Sequence, residues 1–344
     1  MLEQLTRELA EIPSHEDETE AGDYIESWLR RETDAGVERD DAGNVIAQKN
    51  AEDDGDSLAF VGHHDVVPPA EGQVEDGEYV VEKSDRRLYG RGTADMKGAL
   101  AAAMLAFRDA SPSPSVELIF ASFVGEEVGG MGARHAINEG FAPDYAVVTE
   151  GSTGYSADNV TDVAVAHKGR RETVVTARGK STHASEVEKG ENAIYRAADA
   201  LDKVRNVEFP ETEVYGETMK GSTAVTKIHG GETRNVIPDR CEFTVDERTV
   251  PGDSVEFSFG ENIDMEVTQN LPPMVCEDDE FAEKVLEAAK ANQNEGASPE
   301  LVTKPHATDA GWLSEAGTEC VVCGPAEPGE AHTANESVNI DVLE

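Results

Sequence analysis

The first half of the chain alternates short apolar runs with helical patterns of hydrophobic residues. One predicted helix has an apolar face whose members recur at helical spacing: Ala21, Tyr24, Ile25, Trp28 and Leu29. A second helix is predicted at 98–107, where the sequence is apolar nearly all round and therefore favours burial. Buried strands are predicted at 58–61, 116–124 and 145–148. This alternation predicts an α/β fold with a mostly parallel mixed sheet flanked by helices.

The middle of the chain has a different pattern, in which apolar and polar residues alternate as in half-exposed strands. Such strands are predicted at 171–180, 222–231 and 241–250, with a helix from Asn192 to Arg205 after the first of them. This order predicts an α+β, two-layer sandwich with one open face. A helix and the apolar strand CVVCG near the C-terminus return to the first pattern. We therefore expect one α/β domain, 1–168 and 272–344, interrupted by an inserted α+β domain at 169–271.

The net charge of the chain limits the kinds of binding partner that can be expected. Its 344 residues include 71 Asp and Glu against 29 Lys and Arg, a formal net charge of −42. Such a surface repels nucleic acid and anionic membranes, which excludes both as partners. Self-repulsion is screened when salt near molar concentration shortens the Debye length to about 3 Å. The composition therefore predicts a protein from a halophile, and residues 51–57 are predicted to form an acidic loop.

The compartment is predicted from what the sequence lacks. No run of 18 apolar residues occurs, so no membrane-spanning helix is expected. The N-terminal stretch MLEQLTRELAEIPS is charged and amphipathic, unlike a signal peptide. Four cysteines are too few to staple a chain of this length, which predicts a reducing, cytoplasmic environment. Two of them, Cys320 and Cys323, flank an apolar strand and are predicted to be core residues.

Histidine and carboxylate residues follow the predicted strands, where ligands collect in open α/β sheets. They occur in the segments GHHDVVP (62–68), GRGTADMKG (90–98), GEEVGG (125–130), TEG (149–151) and GEAHT (329–333). Zinc takes imidazole and carboxylate ligands together. Two histidines and three carboxylates would hold two tetrahedral ions if one carboxylate bridged them. The pattern therefore indicates a metal site.

These segments, in this order and separation, resemble those of the two-zinc aminoacylase and carboxypeptidase family, which includes acetylornithine deacetylase and succinyl-diaminopimelate desuccinylase. The resemblance covers essentially the whole chain. Within the predicted insertion, GKSTHAS, GENAI, GGETRNVIP and DERTVPG look like the lid and dimerisation domain of that family. The flanking α/β domain would then be the catalytic domain, and the protein would be a homodimer through the lid.

The resemblance implies two zinc ions, with cobalt or manganese as possible substitutes, and assigns their ligands residue by residue. His63 and Glu150 would bind one ion, Glu127 and His332 the other, and Asp95 would bridge them. The G-H-x-D spacing favours His63 over its neighbour His64. One ring nitrogen of His63 would bind the ion, and Asp65 would accept the N–H of the other nitrogen and fix the tautomer. A cis peptide bond is expected after Asp95.

The resemblance also assigns the reaction, hydrolysis of the amide bond of a small N-acyl amino acid. Glu126 would be the general base, and His183 would reach from the lid, typically of the partner subunit, to the oxyanion. Arg248 would bind the substrate carboxylate, and Asn235 and Thr308 would make further substrate contacts. The residues before Thr308, KPHA, depart from the Gly-Gly turn of many relatives, so side-chain selectivity stays open. A carrier-protein-linked lysine or ornithine hydrolase, a dipeptidase or carboxypeptidase, and a non-catalytic binding relative are the alternatives.

Overall fold

The computed structural model describes residues 1–50, 55–293 and 296–344. The chain forms two compact units. The first unit comprises Met1–Ala166, Met274–Lys304 and Thr308–Glu344, and the second comprises His167–Pro273 with Pro305–Ala307. The stretch predicted as an insertion, 169–271, lies within the second unit, and the pattern did not indicate that Pro305–Ala307 would group with it. Residues 51–54 of the predicted acidic loop lie outside the described residues.

The first unit is built on a nine-stranded mixed sheet. Across the sheet the strands run in the order Gly36–Arg39, Val45–Lys49, Val116–Phe123, Asp56–His63, Tyr145–Val148, Glu319–Val322, Val163–His167 and Met274–Val275, and Leu301–Lys304 also pairs with Val163–His167. The four central strands, from Val116–Phe123 to Glu319–Val322, are parallel, and the strands that flank them pair antiparallel. Parallel central strands end at the same edge of the sheet, which is where the predicted ligands follow them.

Helices cover both faces of this sheet, as the apolar patterns predict. The α-helices of the first unit are Leu2–Ala10, Thr19–Glu32, Gly98–Asp109, Met131–Asn138, Asp279–Asn292, Ala310–Glu315 and Ile340–Leu343. The first three pack on one apolar cluster, and Met131–Asn138 and Ala310–Glu315 contribute to another. Gly98–Asp109 is buried over most of its circumference, because its alanines, Met104 and Phe107 leave no polar face. The predicted α/β class with a mostly parallel mixed sheet is therefore confirmed.

Short strands complete the first unit. They form a three-stranded sheet of Glu82–Ser84, Arg87–Tyr89 and Ser337–Asn339, and a pair of Val74–Glu75 with Glu78–Tyr79. Helical turns lie at Glu71–Gln73 and Thr93–Lys97. The pairing of Arg87–Tyr89 with Ser337–Asn339 joins the segment that precedes Asp95 to the segment that follows His332.

The second unit is an antiparallel sheet with one helix packed against it. The strand order is Ser222–Gly230, Arg240–Thr249, Gly169–Arg178 and Ile263–Leu271, and the helix is Ala193–Arg205. Asn192 caps the helix, because its side-chain oxygen accepts the Ile194 N–H at 2.9 Å. Ala193, Ala197, Ala200 and Val204 pack on the sheet. Further short elements are Thr182–His183 with Val236–Ile237, Glu211–Val214 with Glu217–Lys220, and the turn Val187–Lys189.

One strand of the four-stranded sheet was not predicted. Ile263–Leu271 pairs along the edge of Gly169–Arg178 and is mostly exposed. Its signal is present in the sequence, since Ile263, Met265 and Val267 alternate with acidic residues.

No helix in the described part of the chain is long and apolar enough to cross a bilayer. The four cysteines are free. Cys320 and its strand lie in the core, as predicted, whereas Cys323 is only partly buried.

Candidate metal centre

Three neighbouring parallel strands deliver histidine and carboxylate side chains to one edge of the sheet. His63 ends the strand Asp56–His63, and Glu150 lies two residues beyond Tyr145–Val148. Glu126 and Glu127 lie in the turn that follows Val116–Phe123. Gly125 opens this turn with a φ of 61°, a left-handed conformation that a side chain would disfavour. The sheet edge therefore gathers four of the predicted site residues.

Asp95 and His332 approach the same edge from loops. The Asp95–Met96 peptide bond is cis, in agreement with the expectation from the resemblance. Nε2 of His63 lies 3.3 Å from Oδ1 of Asp95 and 3.2 Å from Oε1 of Glu150. Nε2 of His332 lies 3.1 Å from Oδ2 of Asp95 and 2.9 Å from Oε1 of Glu127. The two oxygens of Asp95 thus face different histidines, which is the arrangement that a bridging carboxylate requires.

The contacts of His63 test whether a cation fits. Its Nδ1 lies 3.2 Å from Oδ1 of Asp65 and 3.1 Å from the backbone oxygen of the same residue. Both oxygens are acceptors, so Nδ1 carries a proton. Burial would lower the pKa of His63, but the neighbouring carboxylates hold it well above the ordinary value, so Nε2 offers a lone pair to a cation once its own proton is displaced. Among the described residues Nε2 has no hydrogen-bond partner, although it is buried beside two carboxylates. A lone pair and carboxylate oxygens around one position are the ligands of a borderline divalent cation, so the residues fit such an ion.

Two overlapping groups of residues could hold an ion. His63, Asp95 and Glu127 form one group, and His63, Glu126 and Glu150 form the other, with potential ligand atoms within 4.8 Å of one another in each. The side chains of Asp95, Glu127 and Glu150 are only 11–14% exposed, whereas His332 is 52% exposed. Glu126 therefore lies within ligand distance of a candidate ion position.

Asp65 contacts both His63 and the turn that carries Glu126 and Glu127. Its Oδ1 accepts the backbone N–H of Glu126 at 3.1 Å, and its Oδ2 accepts that of Glu127 at 3.0 Å. Burial would raise the pKa of Asp65, but the neighbouring His63 and the two N–H groups hold it below the ordinary value. One carboxylate thus fixes both the tautomer of His63 and the turn that carries the two glutamates. The second task was not predicted from the sequence.

The carboxyl group of Glu126 has an unusual proton affinity. Burial raises its pKa well above the ordinary value, and the charges of Asp309, Glu150 and Glu127 raise it further, against an opposing effect of His63. Asp309 behaves alike, since burial raises its pKa to about 7. A carboxyl group with a raised pKa holds a proton more readily than an ordinary carboxylate, which is a property of general acids and bases.

Several other buried polar groups surround the centre. Lys304 is 5% exposed, and its Nζ donates to the backbone oxygen of Gly151, next to Glu150, at 2.9 Å. His64 donates or accepts at Ser122 Oγ, 2.8 Å away, and burial lowers its pKa to about 3. His64 therefore stays neutral and bonded within the core, whereas its neighbour His63 faces the carboxylates. Sequence reasoning noted Lys304 only as part of the KPHA segment and did not predict its contact with Gly151, because a lone lysine carries no pattern.

The predicted substrate residues of the second unit also find partners. Thr182–His183 pairs with Val236–Ile237, which brings Nδ2 of Asn235 to 3.5 Å from Nε2 of His183. The Ser185 N–H donates to Nδ1 of His183 at 3.2 Å. Nε of Arg248 donates to Asp246 at 2.8 Å.

Arg170, which was not predicted, and Thr308, which was predicted to contact the substrate, also make defined hydrogen bonds. Asp246 also accepts from Nε of Arg170 at 2.7 Å, so Arg170 stands beside Arg248 as a second guanidinium that the sequence reasoning missed. In the first unit, Thr308 is buried directly before the helix Ala310–Glu315, and its Oγ1 accepts the Ala310 N–H at 3.2 Å.

The profile of peptidase family M20/M25/M40 matches residues 59–344, and the chain belongs to this family. Acetylornithine deacetylase from Myxococcus xanthus is 32% identical over 333 residues, which cover 90% of this chain and 82% of the relative. Succinyl-diaminopimelate desuccinylase from a Nitratiruptor species is 26% identical over 304 residues, which cover 85% and 82%. The family resemblance inferred from the motifs is therefore confirmed, and the chain is a hydrolytic enzyme.

Solved structures share the fold over nearly the whole chain. The aminopeptidase PepT from Bacillus cereus superposes with a TM-score of 0.78 at 21% identity, covering 99% of this chain and 94% of the other. The YXEP protein of Bacillus subtilis, described as a dinuclear metal-binding peptidase of the M20 family, gives 0.69 at 17% identity, with coverage of 99% and 93%. These similarities confirm the fold over nearly the whole chain.

Proposed function

We propose that this protein is a metal-dependent hydrolase that removes the acyl group from an N-acyl amino acid, of the acetylornithine deacetylase or succinyl-diaminopimelate desuccinylase type. The observation that carries this proposal is the placement of Asp95 between His63 and His332, with Glu126 beside them. The names of the two curated relatives support the substrate class.

Five side chains would hold two divalent ions: His63, Asp95, Glu127, Glu150 and His332. Ions bound there would polarise the amide carbonyl and lower the proton affinity of water. We assign zinc as the resident metal, because imidazole nitrogen and carboxylate oxygen are both among its common ligands.

Proton transfer is assigned to Glu126. Its carboxylate would take a proton from the attacking water and deliver it to the leaving amine. The raised pKa of Glu126 suits both steps, because the same group must bind the proton and then release it. Asp65 would hold Glu126 in place through the backbone N–H, and would keep the lone pair of His63 directed at the ligand position.

Substrate recognition is assigned to the second unit. His183 would donate from Nε2 to the developing oxyanion, which the hydrogen bond from Ser185 to Nδ1 favours. Arg248 would bind the substrate carboxylate, since Asp246 engages only its Nε and leaves the two terminal nitrogens for a bidentate contact. Asn235, beside His183, and Thr308 would add polar contacts to the same substrate.

We also assign a homodimer through the second unit. Its edge strand Ser222–Gly230 is exposed along almost its whole length, and Val225 and Ile228 on it are 39% and 50% exposed. A strand of this kind pairs readily with a second copy of itself across a two-fold axis.

A substrate panel tests the proposed function. The metal-loaded enzyme would be assayed with N-acetylornithine, N-succinyl-diaminopimelate, N-acetyl-lysine and a dipeptide. We expect one of the first two to give the highest kcat/KM. A preference for N-acetyl-lysine or the dipeptide would contradict the assigned substrate, and bound metal without turnover of any compound would contradict the assignment as a hydrolase of acyl amino acids.

Mixing two inactive variants tests the dimer together with His183. His183→Ala lacks the oxyanion donor, and Glu126→Gln lacks the base. If His183 serves the site of the partner subunit, a mixed dimer has one site with both defects and one with neither. Subunit exchange should therefore restore about half of the wild-type activity in each heterodimer, since one of two symmetric sites is intact. Verified exchange without recovered activity would contradict the role in the partner.

A further inference from the structure

A buried ion pair lies directly behind the loop that carries Asp95. Arg91 is 3% exposed and Glu336 is 0% exposed, and Nη1 of Arg91 contacts Oε2 of Glu336. Nη2 of Arg91 donates to the backbone oxygen of Pro68 at 3.2 Å. Glu336 is four residues beyond His332, whereas Arg91 is four residues before Asp95. The pair therefore joins the two loops that supply Asp95 and His332.

The second carboxylate oxygen of Glu336 contacts the Asp95 loop itself. Oε1 of Glu336 accepts the backbone N–H of Ala94 at 3.0 Å and that of Asp95 at 3.1 Å. The backbone oxygen of Glu336 accepts the Gly90 N–H at 3.0 Å, so the loop is bound at both of its ends. A charged acceptor on two adjacent N–H groups gives shorter and stronger hydrogen bonds than a neutral one. These contacts fix the backbone from which the Asp95 side chain projects.

We propose that Glu336 is a positioning residue of the metal centre, which holds the Asp95 loop so that the two oxygens of Asp95 face His63 and His332. The proposal rests on the proposed function, in which Asp95 bridges two ions. Arg91 neutralises the buried charge of Glu336 and keeps its carboxylate turned towards the two N–H groups. Residues that orient metal ligands in this way typically change metal affinity by about 10- to 100-fold when they are replaced.

The test compares metal binding by the full-length wild type and Glu336→Gln. Each protein would be stripped of metal and titrated with Zn²⁺ in competition with a chelator. Each would then be loaded with Co²⁺, and its visible absorption would report the coordination. We expect Glu336→Gln to bind the ions about 10- to 100-fold more weakly and to show an altered Co²⁺ spectrum. Wild-type affinity together with a wild-type spectrum would overturn the proposal.

A matched control separates positioning from loss of an ion pair. Glu327 contacts Nη1 of Arg87 at 2.8 Å in the same C-terminal segment, but none of its hydrogen bonds reaches the Asp95 loop. Glu327→Gln should therefore keep wild-type metal affinity. If it weakens metal binding as much as Glu336→Gln does, the effect belongs to the whole segment, and the specific role of Glu336 is contradicted.

A double-variant comparison tests whether Glu336 acts through Asp95. In an Asp95→Asn background, Glu336→Gln should have little further effect on the remaining Zn²⁺ binding, because the group that it positions has already been changed. An equal effect in both backgrounds would show a purely structural role and overturn the proposal.

Because Glu336→Gln leaves Arg91 buried beside a neutral side chain, unfolding of the metal-free proteins is followed by circular dichroism. If that variant is unfolded, Arg91→Gln combined with Glu336→Gln removes both charges and is titrated instead, with the same weakened binding expected.

These readouts distinguish the two proposals. A wild-type protein that binds two ions but hydrolyses no N-acyl amino acid would contradict the proposed function and leave the test of Glu336 valid, because that test measures metal binding. Active wild type with unchanged metal binding in Glu336→Gln would contradict only the positioning role.

Discussion

The polar residues of the first unit and those of the second unit are organised in opposite ways. In the first unit, carboxylates that are 11–14% exposed lie against His63 or His332, and Asp65 and Glu336 hold the loops behind them. In the second unit, His183 and Asn235 are exposed, and Arg248 is bound to the sheet through Nε alone.

This difference agrees with the roles proposed for the two units. Side chains that are buried and bonded on several sides have defined positions and altered proton affinities, which metal binding and proton transfer require. Side chains with few contacts adjust to a ligand at lower cost, which substrate recognition requires. Variants of the metal-centre residues should therefore change kcat and metal content, and variants of Arg248 should mainly change KM. His183→Ala should lower kcat, because it removes the proposed oxyanion donor.

The largest expected effect belongs to Glu126. Glu126→Gln keeps the shape of the side chain but removes the base, so kcat should fall by about 10²–10⁴-fold while both ions are retained. Glu127→Gln is the comparison, because it should lose metal as well as activity. The measurements are steady-state kinetics and metal content by elemental analysis. Metal loss in the Glu126 variant and retention in the Glu127 variant would reverse the two roles.

Replacement of Arg248 in the second unit should mainly change KM. Arg248→Met removes a charge-assisted contact to the substrate carboxylate, so kcat/KM should fall by about 10- to 100-fold, mainly through KM, with metal content unchanged. Arg178→Met is the control, because Arg178 lies on the same sheet and pairs with the exposed Asp264. A fall in kcat at constant KM would place Arg248 with the catalytic residues and remove the contrast between the units.

Metal affinity should depend on pH because protons and ions compete for the same atoms. Hydrogen bonds to Asp95 and Glu127 raise the pKa of His332 to about 10 in the metal-free protein. His332 must lose this proton to bind an ion, so affinity should rise by about tenfold per pH unit for each displaced proton below that pKa. Calorimetric Zn²⁺ titrations in buffers with different ionisation enthalpies measure the released protons. Affinity that is constant between pH 6 and pH 8 would contradict this competition.

Sequence reasoning predicted which candidate ligands lie together better than it predicted the residues that hold them in place. The ligands follow apolar strands in glycine-rich turns, and the parallel order of those strands brings His63, Glu127 and Glu150 to one edge. The supports are single residues whose partners lie far away in the chain: Asp65 contacts a turn 61 residues later, and Glu336 a loop 241 residues earlier. No local period or motif encodes such pairs, because tertiary packing alone brings them together.

The smallest expected effect concerns the charges on the surface, which salt screens more strongly than it screens the buried charges of the metal centre. The net charge of −42 lies largely on exposed side chains, whose mutual repulsion is screened over a Debye length of about 10 Å at 0.1 M salt and about 3 Å at 1 M. The midpoint of thermal unfolding should therefore rise by several degrees or more between 0.1 M and 1 M KCl. The buried contacts of Asp95 and Glu336 are screened much less, so the Co²⁺ spectrum of the loaded enzyme should stay constant over the same range. Circular dichroism melts and absorption spectra at each salt concentration provide the two measurements. An unfolding midpoint that does not change with KCl would contradict the prediction of a halophilic protein, and a spectrum that changes with salt would show that the metal centre is as open to solvent as the surface.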